Sequence, residues 1–198
     1  MLGAGWTQVV AVMAAFGIAV LATPAGISGA VLLLPFQVSG LGTRSPAVTP
    51  TNLLYNVVAT PGALYLYWRR GQTGGRLAVL LAAVVGCVGG IYGIGGGSIL
   101  APVLIGTGRS PREVAPAALA STFVTSVAGV ISFLILSAHH HGSVAPDWPT
   151  GIALGIGGLA GAYTGARIQR RLPDVLIRRV MGVLVVAIGA SYLWSGLS

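Results

Sequence analysis

The chain has 198 residues, 55% of them hydrophobic and 7% charged, and its formal net charge of +8 comes from basic residues that are all arginine. That composition excludes an ordinary soluble domain, and arginines held almost entirely in short breaks between apolar runs are topology signals rather than a nucleic-acid surface. A single cysteine, Cys87, excludes an internal disulfide and a multi-thiolate metal site.

The first apolar run starts at Trp6 with no basic residue before it and continues into Gly26-Ile27-Ser28-Gly29. It is expected to stay in the membrane rather than to be removed as a signal peptide. GISGAVLLLP (26–35) interrupts the run, TRSP (43–46) ends it, and Ser45-Pro46 predicts the start of a long helix running to Arg69 and Arg70. A second run from Leu77 carries GIGGGSILAP (93–102) and ends at GRSP (108–111). There Ser110-Pro111-Arg112-Glu113 predicts a capping box with proline at the first helical position. Further apolar runs follow from Val114, over about 148–166, and over about 175–195.

The two glycine stretches share Gly26/Gly93, Ile27/Ile94, Gly29/Gly96, Leu33/Leu100 and Pro35/Pro102, each pair 67 positions apart. The chain therefore reads as two repeats, residues 1–75 and 76–198, forming one transmembrane domain. Runs 6–39 and 76–106 would each be about 45–50 Å long as one helix, against a hydrocarbon core of about 30 Å. Each must tilt steeply or break at its glycines and return. If every run simply crosses, Arg44 shares a side with Arg109, Arg112, Arg167, Arg170, Arg171, Arg178 and Arg179, while Arg69, Arg70 and Arg76 face the other. If the glycine segments are re-entrant, every arginine except Arg44 falls on one side, with His139, His140, His141 and Asp147 opposite. The second arrangement obeys the positive-inside rule better and makes the halves inverted. The expected fold is an all-α polytopic membrane protein of two inverted repeats, each with a glycine-rich broken or re-entrant helix.

Such breaks suit an anion. A half-helix starting near Ser98 would present N–H groups and the positive end of its dipole, and Gly93, Gly95, Gly96 and Gly97 would let a ligand approach the backbone. Gly26, Ser28 and Gly29 would do the same from the first repeat. The alternative for these glycines is close helix packing, which is the favoured reading for Gly157, Gly161 and Gly165. On the long helices Asn52, Asn56 and Thr60 recur at i, i+4, i+8, and Ser121 and Thr125 at i, i+4, so an offset of 65 sets Asn56 on Ser121 and Thr60 on Thr125. Amides and hydroxyls can donate to oxyanion oxygens, or else bond their own helix backbone. On the same geometry Tyr55, Thr122 and Ser126 point elsewhere. Cys87 is expected to be an apolar filler, and the three histidines a solvated loop.

Residues 86–195, through GIGGGSILAPVLIGTGRSPREVAPAALASTFVTSVAGVISFLI, APDW and GGLAGAYTGARIQRRLPDVLIRRVMGVLVVAIGASYL, resemble the second half of the sulfite exporter TauE/SafE family. The first half is similar in GISGA, LLLP and SP. This resemblance implies movement of sulfite, sulfonates or other small sulfur-containing or carboxylate anions across the cytoplasmic membrane. The chain is short for that family, which points to a homodimer, and has Ser28 and Ala30 where the second segment has Gly95 and Gly97.

The three acidic residues, Glu113, Asp147 and Asp174, fall at helix ends or in a loop, so none is available at mid-membrane for a proton relay. An inside-negative potential drives anions outward by about 2.3 kcal/mol per charge per 100 mV. The expected protein is a multi-pass inner-membrane anion exporter, without cofactor, metal or nucleic-acid partner, and not an enzyme. Import of thiosulfate or another small anion, or a non-transporting membrane scaffold, are the competing readings.

Overall fold

The computed structural model describes residues 4–37, 47–72, 97–139 and 145–197. Among these every regular element is helical. Helix α1 (Ala4–Ala22) runs into a 3₁₀ turn (Thr23–Ala25), followed by the short α2 (Ala30–Pro35) and the long α3 (Val48–Arg69). Helix α4 (Gly97–Gly106) then precedes α5 (Pro111–His139), α6 (Trp148–Ile168), a 3₁₀ turn (Gln169–Arg171) and α7 (Asp174–Leu197). Segments Gly5–Ala25 and Pro111–Ala138 are long and apolar enough to cross a bilayer. Ser45-Pro46, Gly93, Gly95, Gly96, Cys87, His140 and His141 lie outside the described residues.

Local chemistry sets where the helices stop. Pro24 opens the 3₁₀ turn, and Gly26 closes it at φ +75°, a left-handed conformation that only glycine takes without a steric penalty. Ser28 Oγ then accepts the Ala30 N–H at 3.1 Å and starts α2. The chain reverses across this break, because Gly29 lies against Ile18, eleven residues earlier, which a continuous helix would hold about 16 Å away. At the head of α5 the expected reciprocal box is replaced. Ser110 Oγ accepts from the Arg112 N–H (3.3 Å) and donates to Asp174 (2.8 Å), while the Glu113 N–H is taken by the Ser110 carbonyl. Asp147, expected in a loop, caps α6 by accepting from the Thr150 hydroxyl (2.8 Å) and N–H (3.4 Å).

Helix α6 is the hub, and glycine makes it so. On one face Gly157, Gly161 and Gly165 meet the carbonyl oxygens of Val12, Phe16 and Val20, so α1 and α6 run parallel with their backbones in contact. On another, Gly151 meets Leu54, Gly155 meets Val58, and Gly158 meets Tyr55 and Ala59, so α3 is parallel to α6 as well. Any Cβ on these glycines would collide with its neighbour, which is the packing role expected for small residues between apolar helices. Helix α5 runs the other way, with Gly129 against Leu53 and Leu119 beside Thr60 and Ala63.

These directions gather all the described arginines at one end of the bundle, where α3 and α6 finish and α5 and α7 begin. Arg70 donates to the Ala166 carbonyl (2.8 Å), Arg112 pairs with Asp174 (3.2 Å), and Arg178 donates to the carbonyls of Ile105 (2.7 Å), Gly108 (3.1 Å) and Arg109 (2.8 Å). At the opposite end the Asp147 N–H donates to Thr51 Oγ1 (2.9 Å), joining the starts of α3 and α6. Arg69 and Arg70 thus share an end with Arg109, Arg112 and Arg170.

Candidate functional site

The break after α1 and the middle of α3 bring four of the expected residues together. Ser28 donates its hydroxyl to Asn56 Oδ1 at 2.5 Å, and Ser28, Gly29, Asn56 and Thr60 line one cavity with Thr23, Tyr55 and Leu119. Asn56 is 1% exposed, and its Nδ2 has no partner among the described residues. A buried amide donor left unpaired costs on the order of 1–3 kcal/mol, so this atom marks a place where a ligand oxygen or a water belongs. The cavity is small, about 10 Å³. That is room for about one water, and a polyatomic oxyanion enters only if the break and α3 separate.

One layer away, Gln37 donates its amide to Asn52 Oδ1, and both side chains are buried. Asn52 therefore belongs to a second polar rung, between α3 and the chain just past α2, and not to the cavity lining. Sequence reasoning missed Gln37, although an amide two residues past the LLLP run was the available signal. Thr60 donates its hydroxyl to the Asn56 carbonyl at 2.6 Å and Thr125 donates to the Ser121 carbonyl at 2.7 Å. As donors both threonines serve their own helices, the alternative weighed for them above.

Where they are described, the glycines lie in close contact with neighbouring elements. A Cβ on Gly26 would stand 2.7 Å from the Ala115 Cα and 3.3 Å from the Ala118 Cβ; one on Gly29 would meet the Tyr55 hydroxyl; one on Gly97 would meet the Ala118 carbonyl and Thr122 Oγ1. Protein, not open space, faces all three α-carbons. Gly26 and Gly97 both press on Ala118 of α5, so these two glycines converge although they lie far apart in sequence.

On α5 the hydroxyl of Thr122 meets the start of α4. Its Oγ1 accepts the Gly97 N–H at 3.0 Å, at the first residue of α4. Thr122 and Ser126 are 0% exposed, and Ser126 Oγ has no partner among the described residues. Tyr55, also expected to point away, lies 2% exposed with its hydroxyl against Gly29. The signal for Thr122 was the small-residue stripe Ala115, Ala118, Thr122 at i, i+3, i+7. Ser121 is buried and Ser98 half-buried, and neither lines the cavity with Asn56.

A bundle of apolar helices with buried, uncharged polar groups beside a helix break has the make-up of a membrane protein. The sequence narrows this further: the chain belongs to the sulfite exporter TauE/SafE family, whose sequence model matches residues 70–192. It is 31% identical over 137 residues to the probable membrane transporter protein YunE of Bacillus subtilis, covering 69% of this chain and 46% of that protein. A probable membrane transporter protein of Xylella fastidiosa is 28% identical over 116 residues, covering 58% and 42%. Sulfite exporter TauE/SafE family protein 1 of Arabidopsis thaliana is 32% identical over 75 residues, covering 38% and 17%. The chain thus spans less than half the length of the curated relatives it matches. No solved structure matches it.

Proposed function

We propose that the chain forms a multi-pass transporter of the cytoplasmic membrane that exports a small anion, a sulfur oxyanion such as sulfite or a sulfonate, through the space between the first helix break and α3. The observation that carries this reading is Asn56 Nδ2, a buried donor without a partner among the described residues, in a side chain that lines a cavity beside Ser28. Neutral donors suit a transporter because they hold an anion without retaining it. The described arginines stand at one end of the bundle, so the charge that attracts an anion and the groups that would bind it are separate. Both breaks are proposed to be re-entrant: α4, at ten residues, is about 15 Å long, half of a hydrocarbon core. Backbone of that kind is tolerated at membrane depth when protein covers it, as Ala115, Ala118 and Thr122 do here. With the described carboxylates at helix ends, the membrane potential itself is the proposed driving force. Two copies of the chain are proposed to pair.

The test is flux in proteoliposomes carrying the full chain, with sulfite, thiosulfate, sulfonates and carboxylates offered in turn under an imposed potential. Saturable efflux of one of these anions that rises with inside-negative potential is expected. Absence of flux for the whole panel, in protein that is folded and inserted, would sink the proposal and favour a scaffold.

A further inference from the structure

At the arginine-rich end of the bundle lies an apolar slot of about 260 Å³. Leu21 and Pro24 form one wall, Ile168 and Leu172 the floor, and Leu176 and Val180 of α7 the other wall. It is separate from the cavity beside Asn56, although Pro24 stands at the start of the same break. Apolar surface facing lipid is ordinary in a membrane protein, and the slot alone would specify nothing. Its surroundings do, because the residues that line it alternate in sequence with arginines. Arg167 precedes Ile168, Arg170 and Arg171 stand between Ile168 and Leu172, and Arg179 precedes Val180.

These four guanidinium groups are exposed, and none forms an ion pair among the described residues. The carboxylates at this end are Glu113, in the first turn of α5, and Asp174, which Arg112 and Ser110 engage. The positive groups also crowd one another. Burial lowers the affinity of the Arg70 guanidinium for its proton, and the nearby charges of Arg170 and Arg167 lower it further. An arginine cluster without counter-ions at a membrane-water boundary attracts anionic headgroups, each cation adding to the attraction. An apolar slot opening beside it accepts the acyl chain that such a headgroup carries.

We infer that this slot and its arginine rim bind one anionic phospholipid, headgroup on Arg170 and Arg171 and acyl chain between α1 and α7. The occupant would pack against Pro24, whose carbonyl accepts from the buried Gln169 amide at 2.7 Å, so it would brace the turn that leads to Ser28. The inference does not depend on which anion the protein carries.

The test uses the full chain, purified and delipidated in detergent, with retained lipid counted by native mass spectrometry. Phosphatidylglycerol and phosphatidylcholine of identical acyl composition are supplied together, and glycerol 3-phosphate serves as the headgroup alone. Preferential retention of one phosphatidylglycerol is expected. R170Q/R171Q should lower the ratio of the two retained lipids roughly tenfold. V180W, which fills the slot, should lower retention of both, and R109Q, which removes a charge at the same end, should change nothing. Equal retention of the two lipids by the wild type would overturn the inference, as would an equal loss of preference in R109Q. Displacement of the lipid by glycerol 3-phosphate at low concentration would also overturn it, by showing that the rim takes a free phosphate ester.

Discussion

Replacing Asn56 by leucine separates a binding role from a structural one. The substitution keeps a side chain of similar size and removes two things at once: the hydrogen bond from Ser28, at 2.5 Å, and the unpaired Nδ2 donor. Losing the bond and stranding the Ser28 hydroxyl costs about 1–3 kcal/mol, and removing the buried orphan donor returns a similar amount. Pairing Asn56→Leu with Ser28→Ala removes both partners of that bond, and the cost that remains is that of the Ala30 N–H, which Ser28 Oγ now accepts, about 0.5–2 kcal/mol. The melting temperature of S28A/N56L in detergent should therefore stay within a few degrees of wild type. Anion binding should respond differently. Hydrogen bonds to a charged group contribute about 1.5–3 kcal/mol, so removing one donor should weaken apparent affinity roughly tenfold to a hundredfold. The assay is concentration-dependent flux in proteoliposomes, with thermal unfolding measured on the same preparations. Wild-type affinity in a stable S28A/N56L protein would refute the argument and assign the pair to packing alone.

Gly161→Val should fail at assembly rather than at transport, because the added side chain meets the Phe16 carbonyl and the Ala19 methyl; a loss of about 1–3 kcal/mol or more, seen as a lowered melting temperature or aggregation on size exclusion, is expected. Single cysteines at Arg70, Arg112 and Arg170 in a Cys87→Ser background should all label with an impermeant thiol reagent from the same side of the membrane, and opposite labelling at Arg70 and Arg112 would contradict the shared end seen in the bundle. Gln169→Leu strands the Pro24 carbonyl that its amide now satisfies, and should cost about 1–3 kcal/mol in thermal stability. Asp174→Asn should shift stability by no more than about 1 kcal/mol, since the Arg112 and Asp174 side chains are 44% and 38% exposed and water screens their attraction.

Much of the fold was legible because membrane chemistry leaves few options. Helices of apolar residues, breaks at glycine and an arginine-rich end all follow from the need to pair the backbone and to place cations outside lipid. The α6 stripe was legible for a simpler reason: glycine at every fourth position has few uses on a helix besides contact. Ser28 and Asn56 could be named from composition alone, as polar residues in runs that otherwise exclude them. Thr122 could not be told from Ser121 in this way. The short helices start 67 residues apart, at Ala30 and Gly97, but the long ones start at Val48 and Pro111, so the connections differ in length. An offset wrong by one position turns a side chain by about 100°. That Ala115, Ala118, Tyr55 and Thr122 stand opposite the α-carbons of Gly26, Gly29 and Gly97 was not legible, because sequence does not show what faces a backbone.

The contact between α1 and α6 has a consequence for how this bundle can deform. Carbonyls at positions 12, 16 and 20 sit on glycines 157, 161 and 165, four residues apart on both partners. Sliding one helix along the other by one or two residues would drive a side chain into a carbonyl, and the next register that fits lies four residues on, about 6 Å away. No small shear exists between them. Helices α1, α3 and α6 therefore behave as a locked frame, and widening of the cavity beside Asn56 falls to the other elements that line it, the segment of Ile27, Ser28 and Gly29 that follows Gly26 and α5 through Leu119.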